Sequence, residues 1–208
     1  MAVLKAILIV LAGYALGSLS AGYYLVRWRT GRDIRDHGSG STGSRNVGRL
    51  LGKRGFALTL AVDCLKGAAA VGVARLAGLT DAGLTLTMLA AVAGHVWPVQ
   101  LGFRGGKGVA TALGAMAAYS PAITVVCVAL FAICYVAVPK LVLCGVAVVA
   151  AAPLVMAQLN EPSVRLAGLA AVTAVVAVAH RDNFRRSRRE GGEARARPPG
   201  AVRGKGTA

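Results

Sequence analysis

The residues best suited to chemistry lie in two glycine-rich, basic segments of the chain. The first runs from Gly31 to Arg49 and interleaves five glycines (31, 38, 40, 43 and 48) with Ser39, Ser41, Thr42, Asn46 and arginines. This composition is not expected to sustain a helix, but it leaves backbone N–H groups and hydroxyls able to wrap an anion. A flexible cationic linker is the competing reading. The second segment, Leu101-Gly-Phe-Arg-Gly-Gly-Lys-Gly108, leads into a helical pattern at Val109. Gly102, Gly105, Gly106 and Gly108 would let the backbone approach a phosphate, Lys107 adds a point charge, and the helix start adds its positive dipole end. The Walker spacing is absent because Gly108, rather than Ser or Thr, follows Lys107. Nucleotide binding is therefore not supported, and a tight basic turn is the competing reading.

Other ionisable groups fall inside apolar sequence. Asp63 and Lys66 sit three apart on one helix face, about 12 Å inside the boundary of a helix starting at Gly55. Charges at that depth need a partner or a polar cavity, so an ion pair and a substrate contact both stay open. His95, in Gly94-His-Val-Trp-Pro98, is either a structural group or a catalyst. His180 closes the last apolar stretch, and Asn183 follows on the same helix face, placing an imidazole and an amide at the interface. Cys64, Cys127, Cys134 and Cys144 have no metal or disulfide spacing and read as small core hydrophobes.

The elements that must position these groups follow from composition. The 208 residues are 56% hydrophobic and only 15% charged, with mean hydropathy +0.62, yet carry 24 Lys+Arg against 8 Asp+Glu. Apolar runs separate the basic clusters, which excludes a soluble globule and argues against a nucleic-acid binder. The expected fold is all-α and polytopic in a membrane. Ala6 to Val26, Ala82 to Phe103 and Leu141 to Asn160 lack charge, and Gly55 to Leu79 and Ser163 to Ala179 are also long enough to span. Gly108 to Pro139, uncharged over 32 residues, is long for one crossing. Two crossings divided near Ser120-Pro121, the first of them short, put the basic loops and the basic C-terminus on one side. The result is seven transmembrane helices, with the N-terminus outside and the C-terminus cytoplasmic. The first apolar run reads as a retained helix rather than a cleaved signal. Residues 1–190 form one membrane domain, and residues 191–208 read as a disordered basic tail drawn to anionic headgroups.

Four stretches taken together resemble the bacterial acyl-phosphate-dependent glycerol-3-phosphate acyltransferases, the PlsY family. They are Gly38-Ser-Gly-Ser-Thr-Gly-Ser-Arg-Asn46 with Arg49, Asp63-Cys-Leu-Lys-Gly67, Gly94 to Thr111, and His180-Arg-Asp-Asn183. The resemblance covers roughly residues 10 to 190. It implies a seven-helix enzyme of the bacterial inner membrane, its site on the cytoplasmic face. Such an enzyme moves a fatty acyl group from acyl phosphate to the 1-hydroxyl of glycerol 3-phosphate, without cofactor or metal. By position it implies Ser39, Lys107, His180 and Asn183 as catalytic residues. Arg49 and the Gly102, Gly105, Gly106, Lys107 and Gly108 loop would bind substrate, supported by Asn46, Asp63, Lys66, His95 and Glu193. The chain departs from the family pattern at Ser41, Ser44, Arg45, Ser187, Arg188, Glu190 and Gly192. Those departures keep a phosphate-ester transporter or binding protein on the same scaffold as the alternative.

Overall fold

A computed structural model of the chain describes residues 1–159 and 161–196, with side chains as far as Arg181. Every regular element among them is helical: α1 (Ala2–Ser18), α2 (Ala21–Thr30), α3 (Ser44–Leu76), α4 (Asp81–Val96), α5 (Val109–Tyr119), α6 (Pro121–Ala137), α7 (Leu141–Gln158) and α8 (Ser163–Ala196). Five stretches are long and apolar enough to cross a bilayer: Ala2–Thr30, Ser44–Leu76, Asp81–Leu101, Leu141–Gln158 and Ser163–Arg181. The uncharged 108–139 run is divided at Ser120, with Pro121 at the first position of α6, where its missing N–H costs nothing. At 11 residues, α5 is about 16 Å long, roughly half the hydrocarbon thickness.

Two boundaries differ from the sequence reading. Residues 44–49, expected to be non-helical, form the first turns of α3. Gly43 is extended and starts the helix, and the interruption comes later, at Gly52 (φ 69°, ψ −166°). Gly48 packs against Phe56 across that kink, so this glycine makes room for a neighbour instead of breaking the helix. At the other end α8 stays helical to Ala196, past the expected start of the tail. Residues 197–208 lie outside the described residues.

Small residues let the helices approach closely, as they do where lipid offers no hydrophobic drive for association. A Cβ at Gly67 would overlap the Thr111 carbonyl, and one at Gly114 the Cys64 carbonyl, so α3 and α5 touch backbone to backbone. Gly17 and Gly94 bring α1 and α4 together in the same way. The core of Val71, Met88, Val92, Tyr119, Ile123, Met156, Val172 and Val176 fills the space among α3 to α8. One end of the bundle is clamped. Arg165 Nη2 donates to Asp81 at 2.7 Å, its Nη1 donates to Glu161 at 2.9 Å, and Arg75 donates to the Tyr119 carbonyl at 2.6 Å. The antiparallel run of the helices therefore places the C-terminus of α4, the N-terminus of α5 and the start of α3 together at the opposite end. The last apolar turns of α8 join them there.

The glycine contacts yield a prediction. Gly114→Leu should lower the thermal midpoint of the detergent-solubilised protein by an amount corresponding to about 1–3 kcal/mol. Gly72→Ala, where nothing lies within 4 Å of an added Cβ, should leave it unchanged or slightly higher.

Candidate active site

Two loops meet at the unclamped end: loop one, residues 31–43, and loop two, residues 97–108. Loop one is folded around a single buried amide. Asn46 Nδ2 donates toward the carbonyls of Ile34, His37 and Ser41 at 3.2, 2.9 and 3.0 Å, and its Oδ1 accepts from the Ser39 N–H at 3.1 Å. Arg35 adds a second tie. It grips Asp33 through Nε and Nη2, stacks over Tyr23, and donates from Nη1 to the Leu101 carbonyl of loop two at 2.7 Å. Those bonds from Arg35 hold the Asp33 carboxyl below its ordinary value, so it stays charged at neutral pH.

Loop two is laid against the frayed end of α4. The Gly106 N–H donates to the His95 carbonyl at 3.0 Å, Gly105 N–H donates to Val96 at 3.1 Å, and the Thr42 N–H donates to the Gly105 carbonyl at 3.3 Å. The approach is so close that a Cβ at Gly106 would overlap the His95 imidazole, and one at Gly105 the His95 carbonyl. Gly108 (φ 86°) turns the chain into α5, whose N-terminal N–H groups face this end.

Between the loops lies a cavity of about 290 Å³ lined by both loops, the end of α4 and the last apolar turn of α8. Ser39 and Ser41 come from loop one, Trp97, Phe103, Gly105, Gly106 and Lys107 from loop two, and Arg181 from α8. Hydroxyls, cations and close glycine backbone are thus set beside an apolar wall of Val96 and Val178. This suits an anionic group carried on an apolar molecule.

Of the residues singled out from sequence, Ser39, Gly105, Gly106 and Lys107 line the cavity. Arg49 Nη1 lies beside Gly38, on loop one. His180 is buried, its Nδ1 2.8 Å from the Val176 carbonyl, in the same turn of α8 as the cavity residues Val178, Ala179 and Arg181, and does not itself line the cavity. Gly102 (φ 60°) shapes the turn and does not line the cavity. Asp63, Lys66 and His95 form one buried cluster: Lys66 Nζ is 2.9 Å from Asp63 Oδ1, and His95 Nδ1 stands 3.5 Å from the same oxygen. Asn183 and Glu193 are on the α8 backbone, but their side chains lie outside the described residues. Among the described residues no three His, Cys, Asp or Glu side chains gather around a point that could hold a metal ion.

Sequence reasoning missed Ser41, Phe103 and Arg181 as cavity residues, and Arg35 and Thr42 as the ties between the loops. Ser41 stands in the sequence only as one hydroxyl of a glycine-rich loop and as a departure from the family pattern, and Arg181 only as a neighbour of His180. Phe103 (φ 60°) adopts a left-handed conformation unusual for its type, which no composition signal marks. Arg35 and Thr42 act through contacts 66 and 63 residues distant, beyond any local pattern.

The chain is similar to known proteins over most of its length. A family model described as "Glycerol-3-phosphate acyltransferase" matches residues 7–190. Glycerol-3-phosphate acyltransferase 1 of Desulfitobacterium hafniense (strain Y51) is 43% identical over 177 residues, covering 85% of this chain and 87% of that protein. The glycerol-3-phosphate acyltransferase of Clostridioides difficile (strain 630) is 44% identical over 193 residues, covering 89% and 93%. A crystal structure of PlsY (YgiH), an integral membrane glycerol 3-phosphate acyltransferase, in its glycerol 3-phosphate form superimposes with TM-score 0.83 at 34% identity, covering 88% of this chain and 91% of that one. The lysophosphatidic acid form gives a TM-score of 0.79 at 32% identity, with the same coverage.

The loop-one geometry can be tested through Asn46. Asn46→Asp keeps the acceptor for Ser39 but turns lone pairs toward three carbonyls, and Asn46→Ala removes both functions. Each should cost about 1–3 kcal/mol and speed limited proteolysis between residues 31 and 43, with the aspartate at least as damaging as the alanine.

Proposed function

The chain belongs to the glycerol-3-phosphate acyltransferase family, and from that premise we propose that it transfers a fatty acyl group from acyl phosphate to the 1-hydroxyl of glycerol 3-phosphate. The products are lysophosphatidic acid and inorganic phosphate. The observation that carries this reading is the shared cavity. Ser39 and Ser41, Gly105 to Lys107, and Arg181 arrive from three separate segments at one polar space bordered by Val96 and Val178. Both substrates carry phosphate and one carries a lipid tail, which is the mixture of groups that such a space accommodates.

In the proposed reaction the 1-hydroxyl oxygen attacks the acyl carbon, and the bond from that carbon to the bridging oxygen of acyl phosphate breaks. Phosphate departs, and the hydroxyl proton passes to a substrate phosphate oxygen, whose second pKa near 6 suits it to accept. The donor is already activated, so a covalent acyl-serine is unnecessary. Arg49 grips the glycerol phosphate, and Lys107, on the turn that leads into α5, neutralises charge on the acyl oxygen and leaving phosphate. His180 and Asn183 orient the hydroxyl. The Val176 carbonyl at Nδ1 favours the tautomer with its proton there, making Nε2 the accepting nitrogen.

The proposed placement is a bacterial inner membrane crossed seven times. The short α5 and α6 are the fourth and fifth crossings, the N-terminus is outside, and the loops face the cytoplasm and its anionic headgroups. Its support is the positive-inside distribution: 20 of the 24 Lys+Arg fall in residues 27–54, residues 104–107, Lys140 and the segment after His180.

Membranes containing the protein, incubated with acyl phosphate and labelled glycerol 3-phosphate, should form labelled lysophosphatidate. Absence of product above membranes lacking the protein would sink the reading. Arg49→Ala and Lys107→Ala should raise KM for the phosphate-bearing substrates by roughly 10- to 100-fold, the equivalent of a charged hydrogen bond. His180→Ala should act mainly on kcat.

A further inference from the structure

The chemistry above leaves Asp63, Lys66 and His95 without a task. All three are buried, at 2, 5 and 3% exposure, and none lines the cavity. A cluster of ionisable groups in an apolar bundle is costly and contributes little net stability compared with apolar packing. Its place in the fold is informative. His95 lies directly beneath loop two: its carbonyl accepts the Gly106 N–H, and its Nε2 edge occupies the space where a Cβ of residue 106 would stand. The opposite edge of the ring, Nδ1, faces Asp63 at 3.5 Å. Lys66 pairs with Asp63 and donates to the Leu19 carbonyl at 2.7 Å, where α1 ends. Gln100 of loop two meets the same chain break, donating to the Ser18 carbonyl. The cluster thus joins α1, α3 and α4 at the underside of loop two.

The geometry points to Asp63, Lys66 and His95 as positioning residues for the phosphate cradle. His95 is the floor on which Gly105–Lys107 rests, Asp63 sets the angle of that ring, and Lys66 cancels the carboxylate so that no bare negative charge lies beneath an anion site. An unpaired carboxylate within about 10 Å of a phosphate, at an effective dielectric near 20, would weaken binding by roughly tenfold or more. Displacing the cradle by about 1 Å would cost on the order of 100-fold in rate. The kinetic consequences rest on the proposed acyl transfer, but the positional ones do not.

The experiment has two arms on the full-length protein in membranes or detergent. In the first, hydrogen–deuterium exchange is followed by mass spectrometry. His95→Asn, whose short amide reaches toward Asp63 but vacates the floor, should speed exchange in residues 102–108 and leave α6 and α7 peptides unchanged. His95→Gln, which extends under Gly106, should restore slow exchange. In the second, Lys66→Met should raise KM for glycerol 3-phosphate roughly tenfold with a smaller effect on kcat. Adding Asp63→Asn should return KM toward the wild-type value, because no charge is then buried alone. If Lys66→Met does not accumulate, the double variant, with no buried charge, is compared with Asp63→Asn alone, in which the uncancelled Lys66 cation should bind glycerol 3-phosphate more tightly than the double variant does. Unchanged exchange in loop two of His95→Asn would overturn the inference, as would a double variant that binds no better than Lys66→Met or no more weakly than Asp63→Asn. A wild-type protein without acyl transfer would remove the proposed reaction, while the exchange arm would still decide whether His95 positions the loop.

Discussion

Loop two can lie against the end of an apolar bundle only because its backbone has partners there. The last carbonyls of any helix lack intrahelical donors. In α4 those of His95 and Val96 are left available where the helix ends ahead of Pro98. Gly106 and Gly105 supply the missing donors, and only glycine fits, since a Cβ at either position would overlap His95. One interaction therefore satisfies the helix end, fixes the loop and consumes two glycines. Loop one depends on it in turn, because Thr42 donates to the carbonyl of Gly105 and Arg35 to that of Leu101. With the loops thus held, their polar groups face a common space instead of one another.

The two ends of the bundle divide labour. At the clamped end Arg165 joins Asp81 and Glu161 across α4 and α8 while stacked over Tyr119. Its cation is partly buried, where a bridged, hydrogen-bonded guanidinium is well suited. Backbone contacts through Gly67 and Gly114 carry that fixed geometry along α3 and α5 toward the other end. Rigid elements then present the site's groups within the narrow tolerance that catalysis demands. α5 starts two residues past Lys107 and ends after 11 residues at Tyr119, whose carbonyl Arg75 holds at the clamped end.

What the sequence disclosed and withheld follows the range of the forces involved. Helical class, the apolar spans and the division at Ser120-Pro121 depend on local periodicity and on proline's missing donor, and they could be read directly. Ser39, Gly105, Gly106 and Lys107 could be read because glycine and lysine at close spacing announce an anion loop. The start of α3 was misplaced because a helix tolerates Gly48 when a neighbour, here Phe56, fills the space beside it. Asn46 appeared only as a supporting residue, although it makes four hydrogen bonds that define loop one. An amide announces nothing of its partners until the backbone has folded around it. Arg35, Ser41, Phe103 and Arg181 belong to the same class, since their roles arise from contacts that no window of sequence contains.

The same geometry explains why few of the 24 cations can take part in the proposed chemistry. A phosphate at a membrane surface is surrounded by screened, mobile charges, and exposed pairs contribute little. Discrimination requires donors whose positions are fixed before the anion arrives. The cavity is lined by the hydroxyl-bearing Ser39 and Ser41 and by Lys107, on loops whose glycine N–H groups are spent in holding the backbone in place. An already activated donor asks for alignment more than for a strong base. Holding the hydroxyl against the acyl carbon can supply an effective molarity on the order of 10⁵ M or more, which a buried imidazole bonded to its own helix carbonyl assists by orientation. In the proposed orientation the excess positive charge serves chiefly to set the protein's direction in the membrane, and the proposed chemistry falls to the small set of groups on the loops held by the end of α4.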